Sequence, residues 1–259
     1  MFGFCSLFSS SKGNCGLIRT EKTQLLIDAG MAVCHIERKL EEIGTNPEEI
    51  NGILITHEHG DHVRGAGAMS RRYDIPIYAA PKLWQEFSGF GHIKSKNQVI
   101  YEYGMQIGDL ELDFFKTQHD AMQPLGLLFY YKGKKLGFCT DTGCITQGMV
   151  KALDGADALV FEANHDPKML KEGVYPAYLK ARIGGKNGHL SNHDSGTALT
   201  KIINDSTRHV LLAHLSEENN RPDLALKTVA SILAEAGVKD EITVEIAPAY
   251  QTSNWINLE

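Results

Sequence analysis

The sequence predicts an α/β protein in which two sheets lie face to face with helices outside, an αββα sandwich. Three observations predict it. Runs of strand and helix pattern occur twice in succession along the chain. Several apolar strands break into a polar residue at their C-terminal end. No tandem repeat, low-complexity tract or linker interrupts the 259 residues. A chain of that length with 42% hydrophobic content buries a sizeable core, as one large domain or a closely fused pair.

Taken in order, "FGFCSLFSSSKGNCGLIRT" reads as two strands joined by a Ser/Gly/Asn loop over 9–16, and "TQLLIDAG" as a third strand ending at Asp28 and Gly30. Ile36, Leu40 and Ile43 stand at helical spacing, and Gly44 stops that helix. "NGILIT" is a buried strand. "VRGAGAMSRRY" predicts one helix that tolerates two glycines, followed by the strand "IPIYAA" and the helix "PKLWQEF". From Asn97 the pattern turns to β, with "QVIYEY", "LELDFFKT", "LGLLFYYKG" and "KKLGFCTD" in succession. Then come the helix "ITQGMVKAL", the strand "ADALVFEA", and a helix "SNHDSGTALTKIIN" opened by a Ser/Asn cap. The strand "HVLLAHL", a helix from Arg221 with proline near its start and glycine after its end, and the strand "EITVEIA" complete the pattern.

The formal charge of −6 argues mildly against a general nucleic-acid-coating role, because bound cations lie outside that sum. The five cysteines (Cys5, Cys15, Cys34, Cys139, Cys144) are odd in number and contain no CxxC pair, the pattern of reduced thiols in the cytoplasm. "MFGFCSLF" lacks the basic region and cleavage site of a signal peptide, and no apolar run approaches the length of a membrane span.

The densest chemistry lies at Thr56–His62, "THEHGDH", where three of the chain's 11 histidines and two acids follow the apolar run "GILI". Alternation along an extended segment puts His57 and His59 on one side, and a turn at Gly60 swings Asp61 and His62 toward a second position. Such a heptad supplies part of a metal site, so partners must come from elsewhere. His119, Asp141 and His214 stand at strand ends in the same way. Taken singly, each is also an ordinary strand-end cap.

"THEHGDH", followed by that His, Asp and His in order, resembles the HxHxDH signature of the metallo-β-lactamase fold superfamily over essentially the whole chain. The resemblance implies a four-layer αββα sandwich as a single domain over 1–259, with two similar halves. It also implies two divalent metal ions, Zn2+ or Mn2+ or else Fe. His57, His59 and His119 would hold one metal; Asp61, His62 and His214 would hold the other; Asp141 would bridge. With Asp at both 61 and 141, the site is similar to the phosphodiesterase branch. "LFSSSKGNCGLI", "FEANHD", "YPAYLKARIGGKNGHLSNHDSG" and "LAHLSEENNRP" resemble the bacterial YycJ/WalJ group of DNA exonucleases. Glu162, His189 and His214 recur in the order used by β-CASP nucleases, although the inserted β-CASP domain is lacking.

The implied function is a metal-dependent phosphodiester hydrolase: a 5′ to 3′ exonuclease on duplex DNA ends that uses a metal-bridging hydroxide as nucleophile. Asp61 serves the metals, and His189, oriented by Glu162, protonates the leaving group. His193 and His165 rival His189, whose plainer reading is a helix-capping loop residue. Phosphate contacts are expected from Ser10, Lys12 and Asn14 in a nest-like loop, or that loop is an ordinary hairpin turn. Lys180, Arg182, Lys186 and His193 are further substrate contacts, in a stretch where Tyr175 and Tyr178 could stack on bases, or which is a solvated helical face. A small-molecule hydrolase of the same fold, acting on a cyclic nucleotide or a thioester, and a non-enzymatic regulator with structural metals are the competing readings.

Overall fold

The computed structural model describes residues 1–238 and 241–258. These fall into two compact units, one of Met1–Asp113, Ala121–Gln123 and Pro248–Glu259, the other of Phe114–Asp120 and Pro124–Ala247.

The first unit is organised by a sheet of seven strands: β1 (Gly3–Ser10), β2 (Gly13–Arg19), β3 (Gln24–Ile27), β4 (Gly52–Leu54), β5 (Ile77–Ala79), β6 (Gln98–Ile100) and the last strand of the chain, β14 (Ile256–Asn257). Their order is β14-β1-β2-β3-β4-β5-β6. The β1, β2 and β3 ladders are antiparallel, and from β3 to β6 the pairing is parallel. Burial explains the composition of the strands. "GFCSLFSS" and "GIL" are buried at every position, so both faces of these strands are covered, and Ser6, Ser9 and Ser10 are buried with the apolar residues. The helices here are α1 (Val33–Glu42), α2 (Gly60–Val63), α3 (Ala66–Tyr73) and α4 (Pro81–Glu86). Ile36 and Leu40 of α1 are fully buried, one turn apart, as their spacing predicts.

The second sheet runs β13-β12-β11-β10-β9-β8-β7. Its strands are β7 (Met105–Ile107), β8 (Leu110–Lys116), β9 (Leu125–Tyr131), β10 (Lys134–Cys139), β11 (Ala158–Glu162), β12 (His209–Ala213) and β13 (Thr243–Ile246). β10 to β13 are parallel, and β9 turns back antiparallel on β10. The helices α5 (Gln147–Leu153), α6 (Pro167–Glu172), α7 (Ala177–Ile183), α8 (Asn192–Ile202) and α9 (Pro222–Glu235) belong to the second unit. Its core gathers Leu159, Phe161, Leu190, Leu199, Leu212 and Val229. α8 and α9 pack closely at Gly196, where a Cβ would come within 2.8 Å of Ile232.

Two expectations need correction. The loop over 9–16 is far tighter: Ser9 pairs with Asn14 and Ser10 with Gly13, leaving only Ser11 and Lys12 as the turn. The single helix expected from Val63 is two, because the Gly65 N–H bonds out to the Ala29 carbonyl at 2.7 Å rather than continuing α2. The 166–183 stretch is helical, as its plainer reading had it, folding into α6 and α7, and the short strands β7 and β14 carry no pattern long enough to read. All five cysteines are free, as their spacing predicts. Among the described residues, no helix is long and apolar enough to cross a membrane.

Candidate metal centre

In the first unit β4 delivers "THEHGDH" at its C-terminal end, and α2 begins at Gly60 with His59 as its N-cap. His57 Nε2 lies 3.1 Å from His59 Nδ1, so the alternation does place these two rings together. The turn into α2 brings Asp61 Oδ2 to 3.4 Å from His62 Nε2. Beneath them Asp28, fully buried after β3, accepts from His62 Nδ1 at 2.7 Å and from the Thr56 backbone N–H at 2.9 Å. Thr56 Oγ1 donates to the same carboxylate at 2.9 Å, which leaves it to accept from His57 Nδ1 at 3.0 Å. Burial pushes the Asp28 carboxyl up, and the contacts with His62 and Thr56 oppose that rise.

In the second unit His119 follows β8, Asp141 follows β10, Glu162 ends β11 and His214 follows β12. His119 Nδ1 donates to the Gly188 carbonyl at 3.0 Å, and burial holds its ring below the usual imidazole pKa, so it stays neutral. Asp141 Oδ1 lies 3.8 Å from His119 Nε2 and 3.4 Å from His214 Nδ1. Glu162 is completely buried: its Oε1 accepts from His189 Nδ1 at 2.8 Å and His214 Nδ1 at 2.9 Å, and its Oε2 from the N–H groups of Thr142 and Leu190 at 3.1 and 3.0 Å. Burial alone would raise the Glu162 carboxyl, but the two histidines outweigh it and hold it well below the usual carboxylate range. The 188–190 loop thus acts as a clasp on His119 and Glu162. Gly143 lets it close: a Cβ there would sit 2.5 Å from the Gly188 nitrogen.

The donor chemistry fits divalent metal. His57, His62, His119 and His214 each have Nδ1 against an acceptor, namely Thr56 Oγ1, Asp28, the Gly188 carbonyl and Glu162. That fixes the proton on Nδ1 and leaves Nε2 as the lone-pair nitrogen, the arrangement in which histidine binds metal. Neutral imidazoles with carboxylates such as Asp61 and Asp141 suit zinc, manganese or iron. Donor atoms of Asp141, Glu162, His189 and His214 also lie within 4.8 Å of one another. Glu162 Oε1 already takes two Nδ1–H groups, so we read it as a support and not a ligand.

Asp28, Asp141 and His214 share a further feature: each has left-handed backbone, with φ of 59°, 57° and 58°. Non-glycine residues there are uncommon and gather at functional sites. Asp28 was visible in the sequence only as a strand end, yet the same signal of an apolar strand breaking into an acid marks it.

The expected substrate contacts divide. Ser10 is fully buried and its Oγ accepts from the Lys12 N–H at 3.2 Å, so the hydroxyl closes the turn and presents nothing outward. Asn14 is buried too, with Nδ2 3.3 Å from Asp61 Oδ2 and 3.2 Å from His62 Nε2, so its amide is spent on two of the metal-donor residues. Lys12 is exposed at the turn. Arg182 clamps Asp120, the neighbour of His119, with contacts of 2.5 and 3.2 Å, while Lys180 reaches the Lys171 carbonyl at 2.8 Å. Lys186 is exposed. His193, on the first turn of α8, is 69% exposed with Asp194 4.0 Å away, and is not gathered with the others. His165 is buried with no hydrogen-bond partner on Nδ1.

A family model described as the metallo-beta-lactamase superfamily matches residues 11–176. The chain is 39% identical over 237 residues to the exodeoxyribonuclease YycJ of Bacillus anthracis, covering 90% of each. It is 38% identical over 240 residues to the exodeoxyribonuclease WalJ of Streptococcus pneumoniae, covering 91% of this chain and 89% of the relative. Among solved structures, the metallo-beta-lactamase fold protein YhfI from Bacillus subtilis superposes with a TM-score of 0.73 at 17% identity, over 98% of this chain and 99% of that one. The likeness bears out the αββα sandwich expected from the sequence.

Proposed function

From membership of the metallo-β-lactamase superfamily, to which this chain belongs, we propose that it is a metal-dependent phosphodiester hydrolase acting as a 5′ to 3′ DNA exonuclease on duplex ends. The observation that carries the reading is the set of four histidines whose Nδ1 protons are fixed by acceptors within their own units. Identity to exodeoxyribonucleases along nine-tenths of the chain supports DNA as the substrate. The whole of 1–259 is one metallo-β-lactamase domain with no inserted β-CASP domain. The free cysteines fit a reducing cytoplasm.

His57, His59 and His119 would hold one cation and Asp61, His62 and His214 the other, with Asp141 shared, as the family resemblance assigns them. Two such cations supply Lewis acidity and water activation for in-line displacement at phosphorus. The remaining chemistry belongs to the side chains. His189 is turned by Glu162 so that Nδ1 is committed and Nε2 holds the proton for the leaving oxygen. Lys12, Lys180 and Lys186 contact the phosphate backbone, which carries most of the affinity for any nucleic acid, while Arg182 is held by Asp120.

Manganese- or zinc-loaded protein incubated with end-labelled duplex DNA, single-stranded DNA and RNA tests the reading. Release of mononucleotides from the 5′ end of duplex DNA is expected. Hydrolysis confined to cyclic nucleotides or thioesters would replace it with the small-molecule alternative.

A further inference from the structure

We propose that the α6–α7 segment is the platform on which the substrate strand is seated, with Val174 and Tyr178 packing against unpaired bases; this rests on the nuclease reading. α7 buries none of its residues, so core packing does not account for it. Val174 is 89% exposed and Tyr178 75%, the two most exposed large apolar side chains among the described residues. Single exposed apolar residues are ordinary. Two of them four positions apart, Val174 in the α6–α7 connection and Tyr178 on the helix that buries no residue, call for a partner.

Charge indicates which partner. Between Asp166 and His189 stand Lys168, Lys171, Lys180, Arg182 and Lys186, five cations against Asp166 and Glu172, in a chain of net charge −6. Arg182 is neutralised by Asp120, which leaves the charge of the four lysines for a polyanion, Lys180 having a carbonyl, that of Lys171, as partner. Aromatic side chains set among cations are how proteins hold single strands without reading sequence.

The segment is also fastened to the chemistry. The His189 N–H bonds to the Ile183 carbonyl at the end of α7 at 2.8 Å, and the Gly188 N–H to Gly185 at 2.9 Å. Arg182 joins α7 to Asp120, next to His119. Tyr178 precedes Ile183 by five helical residues, about 7.5 Å along the axis at 1.5 Å per residue. That is roughly two steps of a strand at 3.4 Å per phosphate. A base stacked on Tyr178 would therefore fix the strand a defined short distance from His189.

The test compares wild type with Tyr178→Ala, Tyr178→Trp and Val174→Ser, all at exposed positions. KM and kcat are measured on a fluorescent oligonucleotide with an unpaired end and on bis(p-nitrophenyl) phosphate, and binding of a non-hydrolysable phosphorothioate oligonucleotide is followed by anisotropy. Tyr178→Ala should weaken oligonucleotide binding and raise its KM by about five- to a hundredfold, the range of one stacked base. Tyr178→Trp should restore both, and the nitrophenyl substrate should be turned over as by wild type. Unchanged oligonucleotide binding in Tyr178→Ala, or equal losses on both substrates, would overturn the platform. Loss of binding to anionic phosphatidylserine vesicles with DNA binding intact would overturn it in favour of a membrane surface. If wild type binds the oligonucleotide but cleaves only small diesters, the nuclease reading fails, and the anisotropy of Tyr178→Ala still decides the platform.

Discussion

In the first unit one buried carboxylate holds one imidazole: Asp28 receives His62, and its remaining contacts go to Thr56. In the second unit one buried carboxylate holds two, since Glu162 receives His189 and His214 and also closes the loop through the Leu190 N–H. The donors of the first unit come from seven consecutive residues, whereas those of the second come from the ends of separate strands and need a shared anchor. The difference teaches that the second group is the more interdependent. A fault at its support should spread to a metal ligand, to the proton donor and to the loop together.

The largest effect tests what both arrangements serve. Asp61→Ala should abolish hydrolysis while the thermal midpoint moves little, because Asp61 stands on the first turn of α2 and not in a hydrophobic core. Wild-type turnover in that variant would remove the two-metal mechanism. Next come the supports. Removing one partner behind a metal ligand typically costs about 10–100-fold in metal affinity or activity, and Asp28→Asn should fall in that range. Glu162→Gln should exceed it, since each of its oxygens accepts from two N–H groups and an amide has one accepting oxygen, so either both imidazoles or both Thr142 and Leu190 N–H groups lose their acceptor. Chelator competition and turnover measured side by side give the ranking, and a greater loss in Asp28→Asn would break the comparison.

His189→Ala separates the two duties of Glu162. It should keep both metals and lose roughly 10²–10⁴ in turnover on DNA, the worth of a positioned general acid. A nitrophenyl phosphodiester, with its good leaving group, should suffer far less. Equal losses would assign His189 to phosphate binding.

The smallest effect concerns His165, the buried histidine of the second unit that has no acceptor on Nδ1. Burial lowers its pKa below the ordinary imidazole value. The unfolded chain therefore takes up a proton near pH 6.5 that the folded chain refuses, so stability falls as pH drops through that value. His165→Gln should flatten the dependence of stability on pH below about 6.5. An unchanged slope in urea titrations would show that this ring is not refusing the proton.

The same contrast explains what the sequence made legible. Thr56–His62 is contiguous, so its chemistry is visible without the fold, and His119, Asp141 and His214 follow from strands that end in a polar residue. The role of Asp28 is not visible, because a hydrogen bond to a histidine 34 positions away leaves no local pattern. Ser, Gly and Asn signal a loop over 9–16, and the β1–β2 ladder overrides that preference at Ser10 and Asn14, leaving the ordinary hairpin turn. Gly65 breaks a helical pattern through a bond to Ala29 that only the tertiary structure supplies. α7 is legible only as a solvated helical face without bounds, because with no buried residue it has no apolar periodicity to read.

The proposed function requires two divalent cations per chain, with the supported histidines of each unit among their ligands. The most direct test is elemental analysis of wild-type protein stripped of metal, reconstituted with manganese or zinc and freed of excess. The account predicts two metal ions per chain for wild type and fewer for both Glu162→Gln and Asp28→Asn. One ion or none per wild-type chain would contradict it.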